Sequence, residues 1–230
     1  MSCEQADETV REDFIRDELA RKLPLMGPAL AKESDPFKRF TIELVYSTVE
    51  GTRERHDLLS SWCASQVVPL PYERGQEIIK WCGSFDIARA LESLFQCMDR
   101  SEWWRLFGES WSSADDAALI RDFLEWQLGD ATLNELRLAM SPNELEALDK
   151  LPMRVTVFRG CYEHNADGLS WSLSRDIAAS FPFLARYKAD GVQPILLTGT
   201  AWAGSLILKL DRNEQEVLSS CVHFESQENL

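Results

Sequence analysis

From Glu8 to about Lys150 apolar residues recur at three- and four-residue spacing, and few stretches alternate apolar with polar. That period predicts helices. Phe14, Leu19 and Leu23 fit a first helix ending near Pro24. Phe37 to about Val67 reads as one long helix or a pair broken at Gly51, with a turn at Pro69-Leu70-Pro71. Gln76 to Met98 holds two more, separated around Gly83-Ser84. The clearest pattern spans Ser113 to Leu128. Ser113 can cap it, Asp115 and Asp116 suit its positive end, Ile120, Phe123, Leu124 and Leu128 build a face, and Gly129 stops it. Ser141-Pro142-Asn143-Glu144 is a capping box with proline at the first helical position, so a short helix through Leu148 is expected.

After Pro152 the pattern changes to short β-branched and apolar pieces: Arg154 to Phe158, Leu169 to Ser172, Pro194 to Thr198, Ser205 to Leu210, Glu216 to Ser219 and Cys221 to Phe224. One helix interrupts them, Ser174 to about Ala185. The expected fold class is therefore α+β, an all-helical first region followed by a compact mixed or antiparallel, β-rich core. A division near residue 100 would give a helical region 1–100 and a second region 101–230. Trp103, Trp104, Trp111 and Trp126 fall in the last helical stretch and are expected to pack helices against the sheet.

The chain has 230 residues, 45% of them hydrophobic, enough for a packed core. Its 24 Lys+Arg against 38 Asp+Glu give a formal net charge of -14, which disfavours nucleic acid and anionic membranes as partners except through a local basic groove. No basic start with an apolar h-region opens the chain, and nowhere do apolar residues run long enough to span a bilayer, so a cytoplasmic location is expected. The 6 cysteines form no C-x-x-C pair, so no metal site is indicated and reduced thiols are expected. His56, His164 and His223 have no nucleophile motif beside them. The first helix, with Glu12, Asp13, Asp17 and Glu18 beside Arg11 and Arg16, reads as a solvated face, with a neutralising or target partner as the alternative.

Three polar signals stand on the strand-like segments in a fixed order: Phe158-Arg159-Gly160, Leu169-Ser170-Trp171-Ser172-Leu173, and Glu214-Gln215-Glu216-Val217-Leu218. In an extended segment Glu214 and Glu216 point to one side, as do Ser170 and Ser172, with Trp171 on the other. Taken singly each is ordinary: a solvated acidic edge, a serine pair in a strand, a surface arginine. Together they are what holding and cleaving a pyridine dinucleotide requires. Arg159 can fork onto a phosphate, Gly160 lets backbone come close, and the serines supply short hydrogen-bonding arms. One carboxylate can stabilise a ribosyl oxocarbenium ion while its neighbour handles the incoming nucleophile.

These motifs, over roughly Leu151 to Ser219, resemble the mono-ADP-ribosyltransferases of the arginine, serine, glutamate class, which include clostridial-type toxins and short bacterial and phage enzymes. The resemblance implies a NAD-dependent transferase that releases nicotinamide and passes ADP-ribose to a macromolecular acceptor, with NAD as substrate and no metal. It implies that Arg159 contacts the NAD phosphate or nicotinamide ribose, that Ser170 holds the catalytic glutamate and the ribose, and that Glu216 is that glutamate. Glu214 then serves the acceptor side, with Leu208 to Asn213 in the place of the acceptor-reading loop. A protein acceptor, arginine first, is expected; a nucleic-acid base or water, the latter making a NAD glycohydrolase, is the in-class alternative. A catalytically inert NAD- or partner-binding module is the alternative of another class. Trp171 stands where many members carry threonine. Phe181 and Phe183, after the serine motif, are candidates for stacking on nicotinamide or adenine, or simply core.

Overall fold

The computed structural model describes residues 33–47, 52–115, 117–185, 187–189, 191–211 and 214–230. The helix expected to end near Pro24, its acidic face, Gly51, Asp116 and Asn213 lie outside the described residues. Within them the chain is α+β. Helices α1 (Pro36–Ser47), α2 (Thr52–Ala64), α3 (Tyr72–Lys80), α4 (Ser84–Phe95), α5 (Arg100–Ser110), α6 (Arg121–Asp130), α7 (Leu133–Leu138) and α8 (Pro142–Asp149) come first. Strands β1 (Arg154–Cys161), β2 (Ser170–Ser172), β3 (Ile195–Trp202), β4 (Ile207–Lys209), β5 (Glu216–Leu218) and β6 (Val222–Asn229) follow, with α9 (Arg175–Ser180) between β2 and β3. They form a single sheet, ordered β4-β5-β2-β1-β3-β6, in which every neighbouring pair is antiparallel. Among the described residues, no helix is long and apolar enough to cross a membrane.

All six strand segments read from the β-branched runs occur, and one helix begins on the chemistry expected of it. The capping box at Ser141 is complete: its hydroxyl accepts from the Glu144 N–H while the Glu144 carboxylate accepts from the Ser141 N–H. The helix expected over Ser113–Leu128 begins instead at Arg121. Trp111–Ser113 is a separate 3-10 turn, and the Asp115 N–H donates to the Ser84 carbonyl at 2.9 Å, a tie outside any helix that holds the segment to the start of α4. Ile120, Leu124 and Leu128 are nevertheless buried. The helix after the serine motif is shorter than expected, because Pro182 cannot continue it and the chain passes into a 3-10 turn at Phe181–Phe183.

The core is aromatic on the helical side. Trp103 lies fully buried, stacked on Phe107 at 5.3 Å and met edge-on by Phe95 at 5.1 Å, with its N–H donating to the Leu91 carbonyl. Trp104 and Trp111 are buried as well, whereas Trp126 turns outward and is 61% exposed, so it does not share the packing role expected of it. Helix α8 reaches the sheet through a buried ion pair. The Glu144 carboxylate takes the Lys209 ammonium at 3.1 Å and the Leu210 N–H at 3.0 Å, which pins the end of β4.

Candidate active site

Strands β1 and β2 share one residue pair, Phe158 with Ser172. Past that pair the arginine side chain, not backbone pairing, bridges them. Arg159 Nη1 donates to the Ser170 carbonyl at 2.5 Å and Nη2 to the Asn165 carbonyl at 2.9 Å, and the Cys161 thiol also interacts with the guanidinium. Gly168 makes room for this: a Cβ there would overlap the guanidinium. Burial lowers the Arg159 pKa from its ordinary value, an effect opposed by Cys161, Asp167 and Glu216.

A cleft of about 890 Å³ opens at this split, lined by the arginine, serine and glutamate motifs and faced by Ser84, Phe85, Trp111, Asp115 and Arg121 from the helical side. The motif residues come together because β5 pairs with β2, setting Glu216 opposite Ser172 and Leu218 opposite Ser170. Ser170 Oγ donates to Glu216 Oε1 at 2.5 Å. The second carboxylate oxygen accepts from Trp111 Nε1 at 3.1 Å. Burial raises the Glu216 pKa above the ordinary carboxylate value, the two hydrogen bonds pull it down, and the nearby Glu214 and Asp211 charges push it up again.

Glu214 lines the same cleft, but strand alternation is not what puts it there. Strand β5 begins at Glu216, and Gln215 between the two glutamates has φ 48°, a left-handed conformation uncommon for a residue with a Cβ. Ser172 holds this turn from below: its hydroxyl donates to the Glu214 carbonyl at 2.8 Å and accepts from the Ser174 N–H at 3.1 Å. Its donor is thus spent on backbone. Gly160 is likewise needed by the fold, since the space of its missing side chain is filled by the Ala178 carbonyl of α9. Trp171 is buried in the core and also borders the cleft. Phe181 lines the cleft beside Tyr187, at 6.1 Å between ring centroids, whereas Phe183 is exposed and does not.

Three contributors escape the sequence reading. Trp111 shows there only as one of several helical tryptophans, Asn165 acts through its carbonyl, and Gly168 precedes the serine motif with no polar side chain to mark it. His56, His164 and His223 are not among the residues lining the cleft. Among the described residues, no group of three or more His, Cys, Asp or Glu side chains is placed to hold a metal ion. Comparison with protein-family models, with curated proteins and with solved structures gives no match to this chain.

Proposed function

We propose that this chain is a NAD-dependent mono-ADP-ribosyltransferase, acting on a macromolecular acceptor that is a protein, with arginine the first side chain to test. The observation that carries this reading is the meeting of Arg159, Ser170 and Glu216 in one cleft, with the Ser170 hydroxyl donating to the Glu216 carboxylate. Arg159 lines the cleft with its guanidinium fixed on the Ser170 and Asn165 carbonyls, which sets a positive charge where a phosphate would lie. Phe181 and Tyr187 offer ring surface for a nicotinamide or adenine.

In this mechanism the Glu216 carboxylate, ionised and held by Ser170 and Trp111, accepts a hydrogen bond from a hydroxyl of the nicotinamide ribose. It stabilises positive charge on the sugar as the bond from the anomeric carbon to the nicotinamide nitrogen breaks, the bonding pair leaving with nicotinamide. Glu214, on the other side of the Gln215 turn, orients the acceptor nucleophile and takes its proton as it adds to the anomeric carbon. Water in that place gives hydrolysis of NAD.

Nicotinamide release from NAD by the purified full chain, with a cell lysate as acceptor source, tests the reading. Turnover that Glu216→Gln abolishes supports it. NAD binding with no turnover and no labelling in any lysate would replace the transferase with a binding module.

A further inference from the structure

Trp103 and Trp104 are both fully buried; the Trp103 indole N–H donates to the backbone carbonyl of Leu91, and that of Trp104 has no partner among the described residues. Trp111 differs. It is 7% exposed, packed against Phe107 at 5.2 Å, and its one polar side-chain atom meets a carboxylate 105 residues away. The turn that carries it is closed by the Ala114 N–H on the Trp111 carbonyl and anchored just past its end by the Asp115 N–H on the Ser84 carbonyl, both at 2.9 Å.

We propose that Trp111 is a positioning residue through which the helical part of the chain holds Glu216 in its working orientation and its ionised form. This rests on the reading of Glu216 as the catalytic carboxylate. Ser170 fixes one carboxylate oxygen from the sheet and Trp111 fixes the other from the helices, so the carboxylate plane is set by both parts of the fold. An indole N–H can only donate, so it bonds a carboxylate well and a protonated carboxyl poorly. The charged groups around this contact are Glu214 and Asp211 on the segment before β5, Arg159 on β1, Asp167 in the loop before β2, and Asp115 and Arg121 on the helical wall. Lys209, opposite Glu216 in the register of β4 with β5, already has its ammonium on Glu144. Two acidic neighbours on its own segment oppose ionisation of Glu216, and Trp111 counters them.

The test follows the Trp111 indole N–H cross-peak of the 15N-labelled full chain from below the ordinary carboxylate range to alkaline pH, with Trp111→Phe identifying it. A cross-peak that titrates in the wild type and stays flat in Glu216→Gln supports the contact. A cross-peak flat in both, or titrating identically in both, overturns it. In turnover assays Trp111→Phe is expected to lower kcat/KM for nicotinamide release about tenfold or more near neutral pH and to move the acid limb of its pH profile upward. An equal loss at every pH means a packing role and also overturns the proposal. Absence of turnover in the wild type, with the cross-peak still titrating, removes the transferase reading while upholding the Trp111 contact.

Discussion

Replacing Glu216 by glutamine should destroy activity and raise stability. The ionised carboxylate is desolvated in the cleft and faces the charges of Glu214 and Asp211, and the Ser170 and Trp111 donors with the Arg159 charge compensate this only in part. Glutamine can keep both contacts. Its carbonyl oxygen accepts from the Trp111 N–H, and its amide donates to a Ser170 hydroxyl turned to accept. Removing the charge without losing a hydrogen bond belongs with substitutions that gain about 0.5–2 kcal/mol. For a chain of this size each kcal/mol moves the thermal midpoint by about 2–4 °C. Because the folded-state pKa of Glu216 is raised, its contribution is fully present below the unfolded carboxylate pKa and is lost as pH rises through the folded value. The midpoint gap between variant and wild type should therefore be widest above the folded-state pKa and shrink as pH falls toward the unfolded carboxylate value, as the wild-type side chain takes up its proton. Thermal unfolding followed by circular dichroism at several pH values measures this. A variant less stable than wild type at alkaline pH, or a gap independent of pH, would refute the account of Glu216 as a strained, desolvated charge. On the proposed mechanism kcat should fall by about 10²–10³ or more in the same protein.

Gly168→Ala should push the Arg159 guanidinium off the Ser170 and Asn165 carbonyls, weakening NAD binding about tenfold or more; calorimetric titration with unchanged affinity would count against the role given to Arg159. Lys209→Met leaves the Glu144 carboxylate buried without its cation and should cost about 3–5 kcal/mol in urea unfolding, much of it recovered when Glu144→Gln is added. A loss below about 1 kcal/mol would mean that the remaining backbone donors suffice for Glu144. Glu214→Gln should spare nicotinamide release while abolishing transfer to an arginine acceptor, and equal loss of both would deny it an acceptor-side role.

Local rules carry much of this protein. The capping box at Ser141, the β-branched run at Val155 and Val157 and the polar breaks between later segments are written within a few residues, so α+β and the six strand positions can be read from the chain. The order of the arginine, serine and glutamate motifs is readable in the same way. Where local signals compete with tertiary contacts the reading fails: Ser113 has the chemistry of a cap, yet the tie from Asp115 to Ser84 breaks the helix there.

What the sequence by itself determined is the kind of element and the inventory of candidate side chains, because period, caps and turn residues act over one or two helical turns. Only the tertiary structure decided that β5 pairs with β2, that Glu214 reaches the cleft through a left-handed turn, and that Ser172 and Gly160 serve the scaffold. Only it joined Trp111 to Glu216, since a hydrogen bond across 105 residues depends on how the aromatic core settles against the sheet, which no local pattern encodes.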